Sequence, residues 1–251
     1  MAYGIYLSAE GASVQATRME IIAHNLANVD TVAFKRELAV FQAAYAEAVE
    51  QGLDTPGSGS VNDVGGGVML LGTKTDFSQG PLKRTQIPTD VALTGDGFFV
   101  VQKGDQQFLT RAGNFRLTER GELVTQQGYA VMDEAGTPIA IEARNGPFEV
   151  TPEGAIRQAG TAQNLAIVSP ASPGELVRVG ENLFQSKTEP QPLPPAARSV
   201  KPGYLEASGV RPTSEMVQLI EASRAIEANI NMMQTQDQML SELISRVMRV
   251  A

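Results

Sequence analysis

The sequence of 251 residues contains no cysteine and no tryptophan, and its single histidine is His24. Without cysteine, disulfide bonds, thiolate metal ligands and a cysteine nucleophile are all excluded. With one histidine, neither a two-histidine metal site nor a relay of histidines can form. These absences exclude several of the commonest enzyme classes before any motif is considered.

Basic residues are outnumbered: 20 Lys and Arg oppose 28 Asp and Glu, for a net charge of −8. A chain of this sign repels phosphate backbones, and its basic residues cluster no more densely than in the pairs Lys35-Arg36 and Lys83-Arg84. We therefore expect no nucleic-acid partner. Since no apolar run is long enough to span a bilayer, we expect no direct membrane insertion. Residues 1–13 lack the long apolar run of a cleaved signal peptide, so none is expected.

Motifs that could carry chemistry are sparse. Gly95-Asp96-Gly97 precedes a predicted strand, whereas a dinucleotide-binding loop follows one. Asp90 and Asp96 could form a carboxylate pair for hydrolysis or for calcium, but their surroundings are typical of a turn in which aspartate caps backbone amides. His24 is better explained as a polar contact at a helix end. The sequence therefore predicts a protein that is not an enzyme and holds no cofactor or metal, with a hydrolase using Asp90 or Asp96 as an alternative.

Each end of the chain carries an apolar stripe with alternating steps of three and four residues, which is typical of a helix that packs along another helix. The N-terminal stripe consists of Ile5, Ala9, Ala12, Ala16, Met19, Ala23 and Leu26. The C-terminal stripe, interrupted only by Ser223 and Asp237, consists of Met216, Leu219, Ile226, Ile230, Met233, Leu240, Ile244 and Val247. Because alanine buries little apolar area, the first helix cannot be stable alone. We predict that the two stripes are complementary and serve assembly between subunits.

Between these ends, short apolar runs such as FFVVQ (98–102), LAIV (165–168) and LVRV (176–179) favour β-strands separated by turns. A Gly/Ser-rich stretch precedes the runs and a stretch with five prolines follows them. The predicted class is α+β, with terminal helices that form a coiled-coil-like assembly region and a central all-β domain. The predicted segments are an assembly helix with its signature (1–35), an extended linker (36–71), the β-domain (72–186), a proline-rich return (187–212) and a second assembly helix (213–251).

Residues 24–36 read HNLANVDTVAFKR and resemble the N-terminal signature of bacterial flagellar rod and hook proteins. The residues that carry this resemblance are Asn25, Leu26, Ala27, Asn28, Thr31, Phe34 and Lys35. The likeness continues, in order, through residues 89–101, 108–131, 180–184 and 203–229, so it covers nearly the whole chain. The sequence departs from the family pattern at His24 and Gly209, where Asn is usual, at Ala33, where Gly is usual, and at Ile226, where Tyr is common.

The resemblance implies a structural subunit of the flagellar basal-body rod, the shaft that crosses the periplasm. Members of this family are exported by the flagellar type III apparatus without cleavage, then polymerise helically with themselves and with other rod subunits to transmit torque. Their terminal helices pair into an inner tube and the β-domain lies outside. The resemblance therefore assigns Asn25, Asn28, Phe34 and Lys35 to assembly as well.

The position within the rod is open at this level. The single compact β-domain and the short 36–71 segment favour the proximal rod. A distal rod subunit of the same family is one alternative, and a non-flagellar, secreted coiled-coil or adhesin module is another.

Overall fold

The structure, a computed structural model, describes residues 2–45, 65–142 and 146–250, together with residues 49, 51–53 and 55. Much of the predicted Gly/Ser-rich linker, residues 56–64, lies outside the described residues. Long helices at the two ends flank a β-rich middle, which confirms the predicted α+β class. Of the described residues, no helix combines the length and apolarity needed to cross a membrane.

Helix α1 spans Ala2–Ala27 and helix α2 spans Pro212–Val250. Proline suits the first turn of α2, where its missing N–H has no partner to lose. The strands are β1 (Glu37–Ala43), β2 (Val68–Thr75), β3 (Leu82–Arg84), β4 (Val91–Leu93), β5 (Phe98–Lys103), β6 (Gln106–Thr110), β7 (Arg116–Leu117), β8 (Leu123–Val124), β9 (Ala130–Val131), β10 (Glu149–Val150), β11 (Ala155–Gln158), β12 (Thr161–Asn164), β13 (Ile167–Ser169), β14 (Leu176–Gly180), β15 (Leu183–Ser186), β16 (Gln191–Pro192), β17 (Val200–Pro202) and β18 (Tyr204–Glu206).

The chain divides into two compact units, each assembled from segments that are distant in the sequence. The first unit comprises Met1–Ala27, Glu37–Thr75 and Arg211–Ala251, and the second comprises Asn28–Arg36 and Asp76–Val210. The predicted segments therefore do not coincide with the units. Residues of the N-terminal signature fall on both sides of a boundary, since Asn25 belongs to the first unit and Phe34 to the second.

The first unit is built on the antiparallel pair of α1 and α2. A methyl group on Gly4 would lie 2.9 Å from Nε2 of Gln236, and one on Gly11 would lie 3.2 Å from Oδ1 of Asn229. Residue numbers therefore rise along α1 as they fall along α2. The absence of a side chain at both glycines permits this close approach of the two helices.

Strands β1 and β2 form an antiparallel hairpin that completes the first unit. At its start, the side-chain amide of Asn25 donates to the carbonyl oxygen of Glu37 (2.8 Å) and accepts from its N–H (2.9 Å). Near its far end, Gly67 lies against Glu10 of α1. The interpretation of 36–71 as a linker did not include this hairpin, because its two strands are far apart in the sequence and lack clear alternation.

The second unit is organised around β5, which is buried on both faces. The largest sheet has the strand order β14-β15-β6-β5-β9-β8-β7. Phe99 and Val101 lie in one apolar cluster, where the Phe99 ring meets that of Phe115 edge-on, and Phe98 and Val100 lie in another. A continuous apolar run is what a strand buried on both faces requires, and the strand predicted at 98–102 is confirmed.

Residues 187–210 of the proline-rich return belong to the second unit and supply strands to it, while Pro212 begins α2. Strand β17 pairs with β4, and β18 pairs with β3. Pro202 is tolerated at the end of β17 because this strand has a partner on one side and its proline has no N–H to leave unpaired. The predicted β-domain of 72–186 omits these strands, since their prolines read locally as a connection.

Candidate assembly interface

The least exposed line of α1 differs by one residue from the predicted alanine stripe. That line consists of Gly4, Ser8, Gly11, Gln15, Arg18, Ile22 and Asn25, with the buried Val14 at its edge. Ala9 and Ala23 of the predicted stripe are exposed, whereas Ile5, Ala12, Ala16, Met19 and Leu26 are half-buried. A shift of one residue rotates the line by roughly 100° around the helix. The alanine stripe therefore lies to one side of the line that contains the α2-contacting glycines.

The predicted stripe on α2 is divided between two faces of that helix. Its least exposed line consists of Glu215, Leu219, Ala222, Ile226, Asn229, Met233, Gln236 and Leu240. This line shares Leu219, Ile226, Met233 and Leu240 with the prediction. The remaining predicted residues, Met216, Ile230, Ile244 and Val247, are exposed. Half of the bulky stripe is consequently free for contacts outside this unit.

Exposed apolar side chains flank the α1-facing line of α2 on both sides. Met216, Ile230 and Ile244 follow one another at fourteen-residue spacing on one flank, and Met232 and Met239 lie on the other. In a helix pair that stands alone in water, the flanking positions are typically charged. Apolar flanks on both sides indicate a helix with more than one neighbour.

The C-terminal turns of α2 extend past the start of α1. Because Gly4 lies against Gln236, the residues of α2 beyond about 240 have no counterpart on α1 among the described residues. Ten helical residues measure about 15 Å. The exposed apolar side chains of this overhang are Leu243, Ile244, Val247 and Met248.

Phe34 and Lys35, predicted to take part in assembly, lie in the interior of the second unit. Lys35 and Glu206 are each 1% exposed, and Lys35 Nζ lies 2.6 Å from Glu206 Oε1. The ammonium also donates to the carbonyl oxygen of Ser78 (2.8 Å). Arg111 Nε lies 3.5 Å from Glu206 Oε2, and the Gly80 N–H donates to Oε1 (2.8 Å). We call Lys35, Arg111 and Glu206 the ion cluster.

Burial has opposing consequences for the ion cluster. Removal from water lowers the pKa of the Lys35 ammonium below its ordinary value, while the Glu206 carboxylate opposes that shift and Arg111 adds to it. Burial likewise lowers the pKa of Arg111, again opposed by Glu206. Glu206 is the carboxylate within ion-pair distance of both buried cations, with Asp76 and Asp96 making smaller contributions to Lys35 and Arg111. Its loss would leave both cations without that ion-pair partner.

Backbone contacts hold the signature segment around this cluster. The Ala33 N–H donates to the carbonyl oxygen of Glu206 (2.8 Å), and the Gly209 N–H donates to that of Phe34 (2.9 Å). The guanidinium of Arg178 lies 4.5 Å from the centre of the Phe34 ring and donates to the carbonyl oxygen of Lys35. These contacts hold residues 28–36 within a single subunit.

The other predicted assembly residues of the signature also make internal contacts. Asn25 is buried against Glu37, as described above, and Oδ1 of Asn28 accepts from the Thr31 hydroxyl (3.1 Å). Nδ1 of His24 lies 3.6 Å from Glu37 Oε2, which confirms the predicted polar contact. The assignment of Asn25 and Asn28 to assembly stays a prediction, and their visible contacts are local.

The candidate catalytic carboxylates occupy unlike surroundings. Asp90 is buried, and its backbone bonds to Ile87 and Gly203. Asp96 is exposed in the turn before β5, at the rim of a cavity of about 250 Å³ beside Phe77. Within the described ranges, no three His, Asp or Glu side chains are grouped as metal ligands.

Sequence reasoning missed Glu206 and Arg111. The segment containing Glu206 was matched as a motif, but its carboxylate meets Lys35 and Arg111 only through folding, across separations of 171 and 95 residues. The available signal was weak: a glutamate in the otherwise uncharged run of 202–210.

Comparison with known proteins covers both ends and the middle of the chain. The family described as "Flagella basal body rod protein" matches residues 5–35. The family described as "Flagellar hook protein FlgE/F/G D1 domain" matches residues 92–158. Residues 201–246 match "Flagellar basal body rod FlgEFG protein C-terminal".

Individual relatives align over nearly their full lengths. "Flagellar basal-body rod protein FlgF" of Caulobacter vibrioides is 33% identical over 244 residues, covering 96% of this chain and 97% of the relative. "Flagellar basal-body rod protein FlgG" of Buchnera aphidicola subsp. Schizaphis graminum is 34% identical, covering 95% and 97%. The FlgG protein of Bacillus subtilis is 30% identical, covering 98% and 99%.

Proposed function

Since the chain belongs to the family of flagellar basal-body rod proteins, which are structural proteins and not enzymes, we propose that it is a proximal rod subunit that polymerises helically through its terminal helices. Its partners are then further copies of itself and other rod subunits. The observation that carries the assembly mechanism is the pair of apolar flanks on α2, with Met216, Ile230 and Ile244 on one side and Met232 and Met239 on the other.

The area available on these flanks favours several neighbours over one. Full burial of such a side chain contributes about 1.5–3 kcal/mol, and these five are each about half exposed. One flank on each of two subunits therefore contributes about 4–8 kcal/mol in total, which lies at the lower end of the roughly 4–15 kcal/mol cost of association. Simultaneous contacts on both flanks and along the overhang offset that cost more fully. A polymer in which each α2 touches several others therefore gains more than a dimer through one flank.

Export by the flagellar type III apparatus and torque transmission complete the proposal. A chain without cysteine is well suited to assembly outside the cytosol, because no unwanted disulfide can form there. The non-flagellar adhesin alternative does not fit a member of this family. The distal rod position is the second candidate, because relatives named FlgF and FlgG match the chain at similar identity.

Basal bodies isolated from a strain that lacks the gene distinguish the two rod positions. If the subunit is proximal, mass spectrometry of the null-strain basal bodies will find the distal rod subunits missing. If only this subunit is missing while every other rod subunit remains, the distal position is correct. Electron microscopy of the purified full-length chain at rising concentration tests the mechanism. Filaments are the expected result, and closed rings would contradict helical polymerisation.

A further inference from the structure

The ion cluster joins three parts of the chain that are far apart in sequence. Lys35 comes from the signature segment, Arg111 is the residue that follows β6, and Glu206 is the last residue of β18. The two outer members lie close to the helices along the chain. Lys35 follows α1 after seven intervening residues, and Glu206 precedes α2 after five.

We propose that the ion cluster is a latch that closes residues 28–36 onto residues 206–209, with Glu206 as its positioning residue. When closed, the latch pairs the backbones of the two segments through the Ala33 and Gly209 amides. It thereby fixes the distance between the point where the chain leaves α1 and the point where it enters α2. The buried signature residues then serve assembly indirectly, by holding the chain at the point where it leaves α1 and at the point where it enters α2.

Two physical features make the latch an all-or-none element. A buried charge is tolerated only when it is paired, so loss of the Glu206 carboxylate is strongly unfavourable for both Lys35 and Arg111. The second feature is a pair of backbone hydrogen bonds between residues 28–36 and residues 206–209. The Ala33 N–H donates to Glu206 and the Gly209 N–H donates to Phe34, so both bonds need the two segments to be in place. The segment 28–36 should therefore open as one unit, before the strands around β5 separate.

The order in which the chain emerges gives the latch a role in assembly, and this consequence rests on the proposed function. In a chain that is exported from its N-terminus, Lys35 emerges 171 residues before Glu206. The latch stays open until the return strand β18 has arrived. The latch can therefore close once β18 has left the export channel, before α2, which follows it in the sequence, has emerged.

Residue-resolved hydrogen exchange on the full-length chain tests the latch. Glu206→Gln removes the carboxylate charge. If this variant fails to fold, Lys35→Met is the second variant, because it leaves Glu206 paired with Arg111. In both, exchange at the Ala33 and Gly209 amides should rise at least tenfold. The Val100 and Met132 amides, hydrogen-bonded at the centre of the sheet, should keep their wild-type rates.

The exposed ion pair of the same unit provides matched controls. Lys103 Nζ lies 3.1 Å from Glu181 Oε2, and about half of each side chain is exposed. Glu181→Gln and Lys103→Met repeat the chemical changes and should leave all four amides unaffected. An equal rise at all four amides in Glu206→Gln and Lys35→Met would show a general core contribution and overturn the latch, as would unchanged exchange at Ala33 and Gly209.

Filament formation separates the latch from the proposed function. If the wild-type chain forms filaments and Glu206→Gln does so only at a much higher concentration, the assembly role of the latch is supported. Equal filament formation by a variant with an open latch would overturn that role and leave the rod function intact. Wild-type chain that never polymerises would contradict the proposed mechanism, and the exchange rates would still decide whether the latch exists.

Discussion

Substitution of Ile244 tests whether the exposed side of α2 is an assembly surface. Ile244 is 59% exposed in the overhang, so the folded subunit gains little from it. Full burial of isoleucine contributes about 1.5–3 kcal/mol, and the exposed share corresponds to about 1–2 kcal/mol on assembly. Because 1.4 kcal/mol is a tenfold change in an equilibrium constant, Ile244→Ala should raise the critical concentration by about tenfold. Ile244→Asp should raise it by at least about a hundredfold, since an unpaired charge would also be buried.

The measurement is the concentration of subunit left in the supernatant after sedimentation of filaments. Ser241→Asp is the matched control, because it adds the same charge at an exposed polar position of the same overhang. Its critical concentration should stay close to that of the wild type. Circular dichroism should show equal helix content in all three monomers. If Ile244→Asp polymerises at the wild-type concentration while its helix content is unchanged, the assignment of the apolar flank to assembly is wrong.

Three further predictions concern the separate units. Gly11→Leu should lower the melting temperature of the first unit, because even a methyl group there meets Asn229 at 3.2 Å. Gly65→Ala, at a site of the same unit with open space and no positive φ, controls for loss of glycine. Phe184→Ala should lower the free energy of unfolding of the second unit by about 3–5 kcal/mol in urea titrations, since it empties a buried aromatic site. A backbone hydrogen bond from the Ser78 N–H lowers the pKa of the Asp76 carboxyl below its ordinary 3.8. The resulting stabilisation is present above that value and is lost as pH falls through the lowered pKa, so Asp76→Asn should flatten the acid limb of stability against pH.

The local patterns of the sequence predict which segments form helices and which form the central strand. Steps of three and four residues near both ends are enough to predict α1 and α2, because such spacing places apolar side chains along one side of a helix. The apolar run at Phe98–Val101 likewise predicts a strand buried on both faces. Both predictions depend on neighbours a few residues apart, and both are confirmed.

The orientation of the helices lay beyond this kind of reasoning. A search for apolar residues placed the α1 seam on alanines, whereas the line facing α2 contains Gly4, Gly11 and Gln15. Glycine contributes to such a line by lacking a side chain, so its value appears only when the opposite helix is present. For the same reason, Asn229 and Gln236 look like solvent-facing residues in the sequence and lie against α1 in the structure.

The sequence by itself determined the α+β class, the apolar character of the two terminal helices and, through its motifs, membership of the rod family. Tertiary structure alone decided which side of α2 stays exposed and that Lys35 lies buried beside Glu206. Periodicity and motif order are properties of neighbouring residues, so they can be read along the chain. The burial of a charge depends on a partner 171 residues away, and only the folded chain brings the two together.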